Sequence, residues 1–270
     1  MHESWVSMKP LTELDFETVR ELAKTACGIS LHEGKKALVS SRIEKLVRGH
    51  GFGSFTEYIR FVSLRKHGPE FTEFIDTLTT NHSSFWREPE HFIYLQNTVF
   101  QQHRGRTRIW CAAAATGEEP YTLAMCALSA GVPNCTIVAS DISTAALKTA
   151  IRGEYDAMRL AALPMGWKNR YLTPTRHGIQ ETSVVSAQVR DMIRFMPLNL
   201  LQPFGHLGQF DIIFCRNVMI YFEQSTRDHL VERLVAQIAP GGFLFTGHSE
   251  TLLKIPAGLE YLQPAAYRKL

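Results

Sequence analysis

The sequence predicts an α/β protein: a Rossmann-like, doubly wound, mostly parallel sheet, with an all-α N-terminal domain before it and a small antiparallel β insertion within it. Three observations predict this. Buried strands alternate with helices from residue 108 onward. One of them, in IWCAAAATGEEPYTLAM (Ile109 to Met125), ends in a turn at Gly117 that opens directly into a helix. Residues 11 to 80, by contrast, show only helical spacing.

The helical elements come first. In LTELDFETVRELAKTACG, Phe16, Val19, Leu22 and Ala23 share a face, and Gly28 is a stop. HEGKKALVSSRIEKLVRGHG makes a second helix ended by Gly49 and Gly51. SFTEYIRFVSLRK opens on a Ser54 cap, and PEFTEFIDTLTT begins with Pro69 in its first turn. Residues 1–80 are thus expected to be a helical domain and 81–270 a ligand-binding domain. Pro89 to His103 reads as one helix. Then follow the strands RIWCA, TIVASD, FDIIFC and FLFTGHS, with helices from Glu118, Ser143 and Gln224 between them. The alternation fails at about residues 169–196. There ETSVVSAQV and MIRFM read as strands of the antiparallel insertion.

Composition excludes several classes. The chain has 270 residues, 45% hydrophobic and 20% charged, an ordinary globular balance. A net charge of +3 is too small to argue for nucleic acid. No apolar run approaches the roughly 18 residues of a membrane helix, so membrane insertion is not expected. The stretch MHESWVSMKPLTELDF carries acids and lacks an apolar core, so no signal peptide is expected. Cys27, Cys111, Cys126, Cys135 and Cys215 are scattered and form no C-x-x-C pair. Reduced thiols in the cytoplasm, without a zinc site or other metal, are the simplest reading.

The ligand is read from the turn. Nucleotide-binding turns carry several glycines because the backbone presses against a phosphate. Here one glycine is followed by Glu118 and Glu119, which would repel a pyrophosphate. Asp141 ends the next strand about 25 residues on, where an acid accepts ribose hydroxyls. The alternative for Asp141 is a cap on the next helix, and for the glutamates a complement to the helix dipole. An acid-rich turn with a ribose-binding acid fits a nucleoside that carries positive charge and no phosphate, as S-adenosylmethionine (AdoMet) does. In TLTTNHSSFWREPEHF, Arg87 offers a fork of donors for a carboxylate, whereas Phe85 and Trp86 read as packing. Arg216-Asn217 falls at the tip of the strand FDIIFC. Tyr221 offers a hydroxyl nearby, with a purely structural role as its alternative. Asn199 in PLNLL is placed to meet an adenine edge.

TTNHSSFWRE, ATGEEPYT, FCRNVMIYF and GHSE, in this order, resemble the four motifs of the chemotaxis receptor glutamate methyltransferases, the CheR family. The resemblance spans essentially the whole chain. Departures are Ser83 for Thr, Trp86 for Phe, Ala115 for Ser and Cys111 for Ser. It implies AdoMet-dependent methylation of glutamate carboxylates on the cytoplasmic helices of methyl-accepting chemotaxis receptors, leaving S-adenosylhomocysteine. Carried onto matching positions, it implies cofactor contacts from Asn81, Ser83, Arg87, Glu118, Asp141, Asn199, Leu200, Arg216 and Asn217, and methyl-transfer roles for Arg87 and Tyr221. Arg42, Lys45 and Arg48, opposite the apolar face of the second helix, would meet the acidic receptor helices; by composition alone they read as a solvated face. In some members the insertion also docks a receptor C-terminal pentapeptide by strand addition. TRHGIQETS, with its single glycine, leaves that use open. A monomer is expected. A non-catalytic AdoMet-binding regulator is the alternative function; a nucleotide-dependent oxidoreductase is disfavoured by the missing G-x-G-x-x-G.

Overall fold

The structure, a computed structural model, describes residues 9–102, 105–177 and 180–270. It divides into two compact units: the chain up to Thr80 with Tyr221–Glu223, and Asn81–Ile220 with Gln224–Leu270.

The first unit is built from α1 (Glu13–Cys27), α2 (Lys36–Gly49), α3 (Phe55–Ser63) and α4 (Pro69–Leu78). Thr12 and Asp15 close a capping box at the start of α1, and Gly28 ends it with φ 75°, a left-handed turn that suits glycine. The spacing of Phe16, Val19, Leu22 and Ala23 on α1 and of Val39, Ile43, Leu46 and Val47 on α2 buries both stripes. Asp15 is itself buried and accepts from Thr56 Oγ1 at 3.1 Å, which ties the start of α3 to α1.

The second unit opens with α5 (Pro89–Tyr94), a π-helical turn over Leu95–Val99 and α6 (Phe100–Gln102). The helix expected from Pro89 to His103 thus runs without a break to Gln102, with a π-helical turn inside it, and His103 lies outside the described residues. Then come β1 (Thr107–Cys111), α7 (Glu118–Ser129), β2 (Cys135–Asp141), α8 (Thr144–Arg152), β3 (Glu154–Asp156), α9 (Trp167–Tyr171), β4 (Leu172–His177), β5 (Gln180–Val185), α10 (Ala187–Arg190) and β6 (Ile193–Pro197). The chain closes with β7 (Phe210–Cys215), α11 (Gln224–Gln237), β8 (Ile238–Thr246), β9 (Leu259–Gln263) and β10 (Ala266–Lys269).

The main sheet has seven strands in the order β6-β2-β1-β7-β8-β10-β9, parallel from β6 to β8 and antiparallel beyond. Cys111 lies beside Ala139 of β2 and Phe214 of β7, so the C-terminal tips of β1, β2 and β7 end side by side. Ligands of doubly wound sheets bind at that edge.

One strand is not where the sequence reading put it. MIRFM is not part of the insertion. β6 pairs in parallel with β2, Ile137 beside Ile193, and forms an edge of the main sheet. The insertion is the antiparallel sheet β3-β5-β4, and its third strand comes from Glu154–Asp156. A short strand of mixed exposure carries no periodicity that separates a parallel edge from a hairpin. Gly178 and Ile179 of TRHGIQETS, and residues 1–8 of the N-terminal stretch, lie outside the described residues.

Candidate functional site

The turn after β1 needs its one glycine. Gly117 has φ 98°, and a Cβ there would stand 2.7 Å from Tyr155 Oη and 2.9 Å from Ala150 Cβ. Close helix packing, not a phosphate, sets that residue. The turn is then held by Asp141 at the tip of β2. Its Oδ2 accepts from Ala115 N and its Oδ1 from Ser143 N, both at 2.8 Å. Ser143 in turn caps α8 and accepts from Asn81 Nδ2 at 3.2 Å. The cap of α8 is thus Ser143 and not Asp141, which instead holds the backbone N–H of that cap and joins the β1 and β2 turns. The residue remains 8% exposed at the ligand-binding edge. Beside it, Leu198 N donates to Asp141 O at 2.9 Å, bringing the segment after β6 to the same place. There Asn199 Oδ1 accepts from Leu201 N at 3.0 Å, Leu200 is buried, and Arg233 holds the Leu200 carbonyl at 2.9 Å.

The two turn glutamates point to different partners. Glu118 is fully buried and forms an ion pair with Arg159. Thr116 Oγ1 donates to Glu118 at 2.8 Å, and Arg159 lies 5.0 Å over the Tyr155 ring. Tyr155 Oη donates to Thr116 O at 2.7 Å, and burial pushes its phenol far up. Sequence reading missed Arg159 and Tyr155. They lie more than a helix away, Tyr155 on the three-residue strand β3 and Arg159 in the turn after it, too short for a periodic pattern, and only the fold brings them to the turn.

Glu119 belongs to a second cluster, centred on Arg216 at the tip of β7. The Arg216 side chain is fully buried. It meets Glu119 at 2.7 Å and Glu88 at 2.9 Å, and donates to the Arg87 carbonyl at 2.6 Å. Burial raises the Glu119 carboxyl against the pull of Arg216. Burial also works against the Glu88 charge, but Arg216 and the Asn217 amide outweigh it and hold its carboxyl below the ordinary range. The Cys111 thiol, pushed well up by burial, donates to Glu119 at 3.2 Å.

Asn217 takes φ 57° and donates from Nδ2 to Glu88 at 3.1 Å. Its backbone N–H, with those of Gly247 and Ile220, converges on the buried Glu250 carboxylate at 2.6, 2.9 and 3.0 Å. A Cβ at Gly247 would stand 2.7 Å from both Asn217 Nδ2 and Glu250 Oε2. The G and the E of GHSE thus work as a unit. The Nη groups of Arg216, expected at the cofactor, meet two acids and the Arg87 carbonyl, while its buried Nε has no hydrogen-bond partner among the described residues.

Arg87 sits between two left-handed residues, Trp86 at φ 57° and Glu88 at φ 56°. Such residues cost on the order of 1–3 kcal/mol each and persist where the surroundings fix them. Trp86 stacks on Phe92 at 5.2 Å and edges onto Trp167 at 5.1 Å, and Phe85 edges onto Tyr155 at 4.9 Å; both are packing residues. The Arg87 guanidinium donates to His82 O at 3.1 Å. Among the described residues it meets no carboxylate at ion-pair distance. Ser83 is half-buried on the same segment.

Tyr221 is not grouped with Arg216 and Asn217. It belongs to the helical unit, where its carbonyl accepts from Ser30 N at 2.8 Å. On α2 the three expected docking cations differ. Arg42 donates to the carbonyls of Leu78 at 3.0 Å and Thr79 at 3.1 Å, closing the C-terminus of α4, where orphan carbonyls and the helix dipole favour a cation. Arg48 pairs with Glu44 at 2.7 Å, and Lys45 is exposed.

These acceptors suit AdoMet. Asp141 offers an acceptor for hydroxyls at the strand tip, and Glu118 offers negative charge at a helix start without a phosphate cradle. An ammonium there would share Glu118 with Arg159.

Comparison with known proteins agrees. The family model for the CheR methyltransferase SAM-binding domain matches residues 81–267, and that for the CheR all-alpha domain matches residues 14–79. The chain is similar to chemotaxis protein methyltransferase 2 of Pseudomonas aeruginosa, 42% identical over 250 residues, which cover 90% of this chain and 88% of that protein. It is 37% identical over 256 residues to a chemotaxis protein methyltransferase of Borreliella burgdorferi, covering 90% and 89%. To that of Escherichia coli it is 36% identical over 244 residues, covering 89% and 85%.

Proposed function

Because this chain belongs to the CheR methyltransferase family, whose members are AdoMet-dependent enzymes of chemotaxis, we propose that its acceptor is a glutamate side-chain carboxylate on a chemoreceptor. The product is then a glutamate methyl ester. AdoMet supplies the electrophilic methyl group. The observation that carries the reading is the Arg87 guanidinium, which has no carboxylate at ion-pair distance among the described residues while Arg159 and Arg216 both have theirs. A fork of donors on a segment of fixed backbone is suited to a planar carboxylate.

A free glutamate has a pKa of about 4.3, so the acceptor is already an anion at pH 7 and needs no general base. What the chain must supply is orientation and exclusion of water. Asp141 would hold the ribose, with Asn81 acting through the Ser143 cap and Ser83, Asn199 and Leu200 lining the same edge. Glu118 would face the ammonium. Arg87 would orient the carboxylate without gripping it so hard that the nucleophile is lost. Arg216 and Asn217 would act one step back, by holding Glu88 and the Arg87 backbone. Tyr221 would add a hydroxyl to the orientation of the acceptor.

The test is transfer of labelled methyl from AdoMet to receptor-containing membranes. Label released as methanol by mild alkali identifies a carboxyl ester; alkali-stable label would overturn the glutamate assignment. Arg87→Lys keeps the charge and loses the fork, and should lower transfer by about tenfold or more.

A further inference from the structure

Glu88, His91 and His248 form a cluster with a feature that methyl transfer leaves unused. Their ligand atoms all lie within 4.8 Å of one another. His91 is fully buried, and its Nε2 is 3.4 Å from the Pro264 carbonyl oxygen. A carbonyl only accepts, so this contact keeps the ring proton on Nε2 and leaves a lone pair on Nδ1. Among the described residues Nδ1 has no hydrogen-bond partner, and it faces Glu88 Oε2 at 3.7 Å. A buried imidazole acceptor without a partner calls for an explanation. Burial first, then Arg216, holds this imidazole at about 4, so it is neutral at pH 7. The His248 ring stands 4.8 Å away, centroid to centroid, and His248 is exposed, which gives the cluster an entry from solvent. One imidazole nitrogen anchored on a carbonyl, with its lone pair turned toward a second imidazole and a carboxylate, is how proteins present histidine to a metal.

We propose that Glu88, His91 and His248 bind a divalent transition-metal ion of the Zn²⁺ type. Two imidazole nitrogens and one carboxylate oxygen make a three-ligand zinc set with a fourth position for water. Mg²⁺ and Ca²⁺, which take oxygen ligands, are the wrong ions for it. Ligands about 2.0–2.2 Å from zinc stand closer together than these three, so the set must contract. The exposed His248 supplies that movement. The three residues escape a sequence search because 157 positions separate His91 from His248.

Glu88 Oε2 already accepts from Arg216 at 2.9 Å and from His248 N at 3.1 Å. A metal ion would compete for that oxygen and draw Glu88 away from the cluster that fixes the Arg87 backbone. The binding is independent of the methyl-transfer reading. The consequence, inhibition of methyl transfer, rests on it.

The experiment titrates the metal-free full chain with Zn²⁺ against a chromophoric chelator and repeats it with Co²⁺, whose visible spectrum reports its ligands. One ion per chain is expected, with a Co²⁺ spectrum of nitrogen and oxygen ligands. His248→Ala, at an exposed position, should weaken Zn²⁺ binding by about tenfold or more. His91→Phe should abolish it. If His91→Phe does not fold, His248→Ala and the Co²⁺ spectrum decide. No binding, binding unchanged in His248→Ala, or a Co²⁺ spectrum with thiolate bands would overturn the site. Methylation is read separately. Zn²⁺ that binds at this site and leaves turnover untouched would count against the methyl-transfer role given to the Glu88–Arg216 cluster, and not against the site.

Discussion

At the tip of β7 a single guanidinium faces two carboxylates, and burial decides what its loss would do. Removing one partner from a buried ion pair leaves a charge that costs about 3–5 kcal/mol, more than the pair itself contributed. Arg216→Met should therefore destabilise the fold by roughly 3 kcal/mol or more at neutral pH. The sign with pH can be worked out. Without Arg216, burial is opposed on Glu119 only by the Cys111 hydrogen bond and the more weakly felt Arg87, while Glu88 adds to it; the carboxyl is raised even with Arg216 present. A folded pKa above the unfolded value gives stability that is present at low pH and lost as pH rises. The deficit should thus shrink toward pH 5 and grow toward pH 8, as denaturant melts at both would show. An equal deficit at both pH values would mean that the carboxylates are not the cause. Asp141 poses a different question, because it both joins two turns and meets the ligand edge. Asp141→Asn keeps the acceptor for one turn N–H and loses the charge. It should weaken AdoMet about tenfold by calorimetry, near 1.4 kcal/mol, with little change in melting temperature. Unchanged affinity in the folded variant would remove Asp141 from the site. Asp141 and Glu118 were legible in the sequence because a turn and a strand end fix their places. Arg159 acquires its role through a contact across 41 positions, and Glu250 its bond to Asn217 N across 33, which no local pattern records.

Among the elements, α2 shows how a stripe of like residues divides once it is folded. Arg42, Lys45 and Arg48 follow one another at helical spacing, yet Arg42 caps α4, Arg48 pairs with Glu44, and Lys45 is exposed. Exposed charges mainly set association rate and its salt dependence. Lys45→Glu with Arg48→Glu should lower receptor methylation at low salt, leaving AdoMet affinity and melting temperature in place. Arg42→Glu should instead lower the melting temperature, since it puts an anion among the carbonyls of Leu78 and Thr79. Methylation that ignores the Lys45/Arg48 reversal at low salt would leave the stripe a solvated face. The wheel of α2 was legible, since apolar spacing alone places Val39, Ile43, Leu46 and Val47 inside. The partner of Arg42 was not, because it depends on where α4 ends. β6 was misplaced for a similar reason: its pairing with β2 is set by the whole sheet and not by its own five residues.

In the molecule as a whole, the chain leaves the sheet unit after Ile220, contributes Tyr221–Glu223 to the helical unit, and returns at Gln224. Lys24 and Glu223 form an ion pair at 2.8 Å within that unit, and Ser30 N holds the Tyr221 carbonyl. Tyr221 is thereby anchored by its backbone, which leaves the role of its hydroxyl to be measured. The sequence places Tyr221 four residues after Asn217 and so suggests one shared cleft. Spacing along the chain does not record that the segment changes unit. Two outcomes separate the roles. If the hydroxyl orients the acceptor carboxylate, Tyr221→Phe should lower turnover by about 10- to 100-fold, or roughly 1.4 to 3 kcal/mol of transition-state positioning, with AdoMet affinity nearly unchanged. If it serves only the helical unit, the melting temperature should fall and turnover per folded molecule should hold. Backbone anchoring makes the first outcome the expected one, because the Ser30 bond survives the substitution. Turnover, AdoMet affinity and melting temperature measured on one preparation decide it: a variant with normal turnover and a lowered melting temperature would take Tyr221 out of the chemistry.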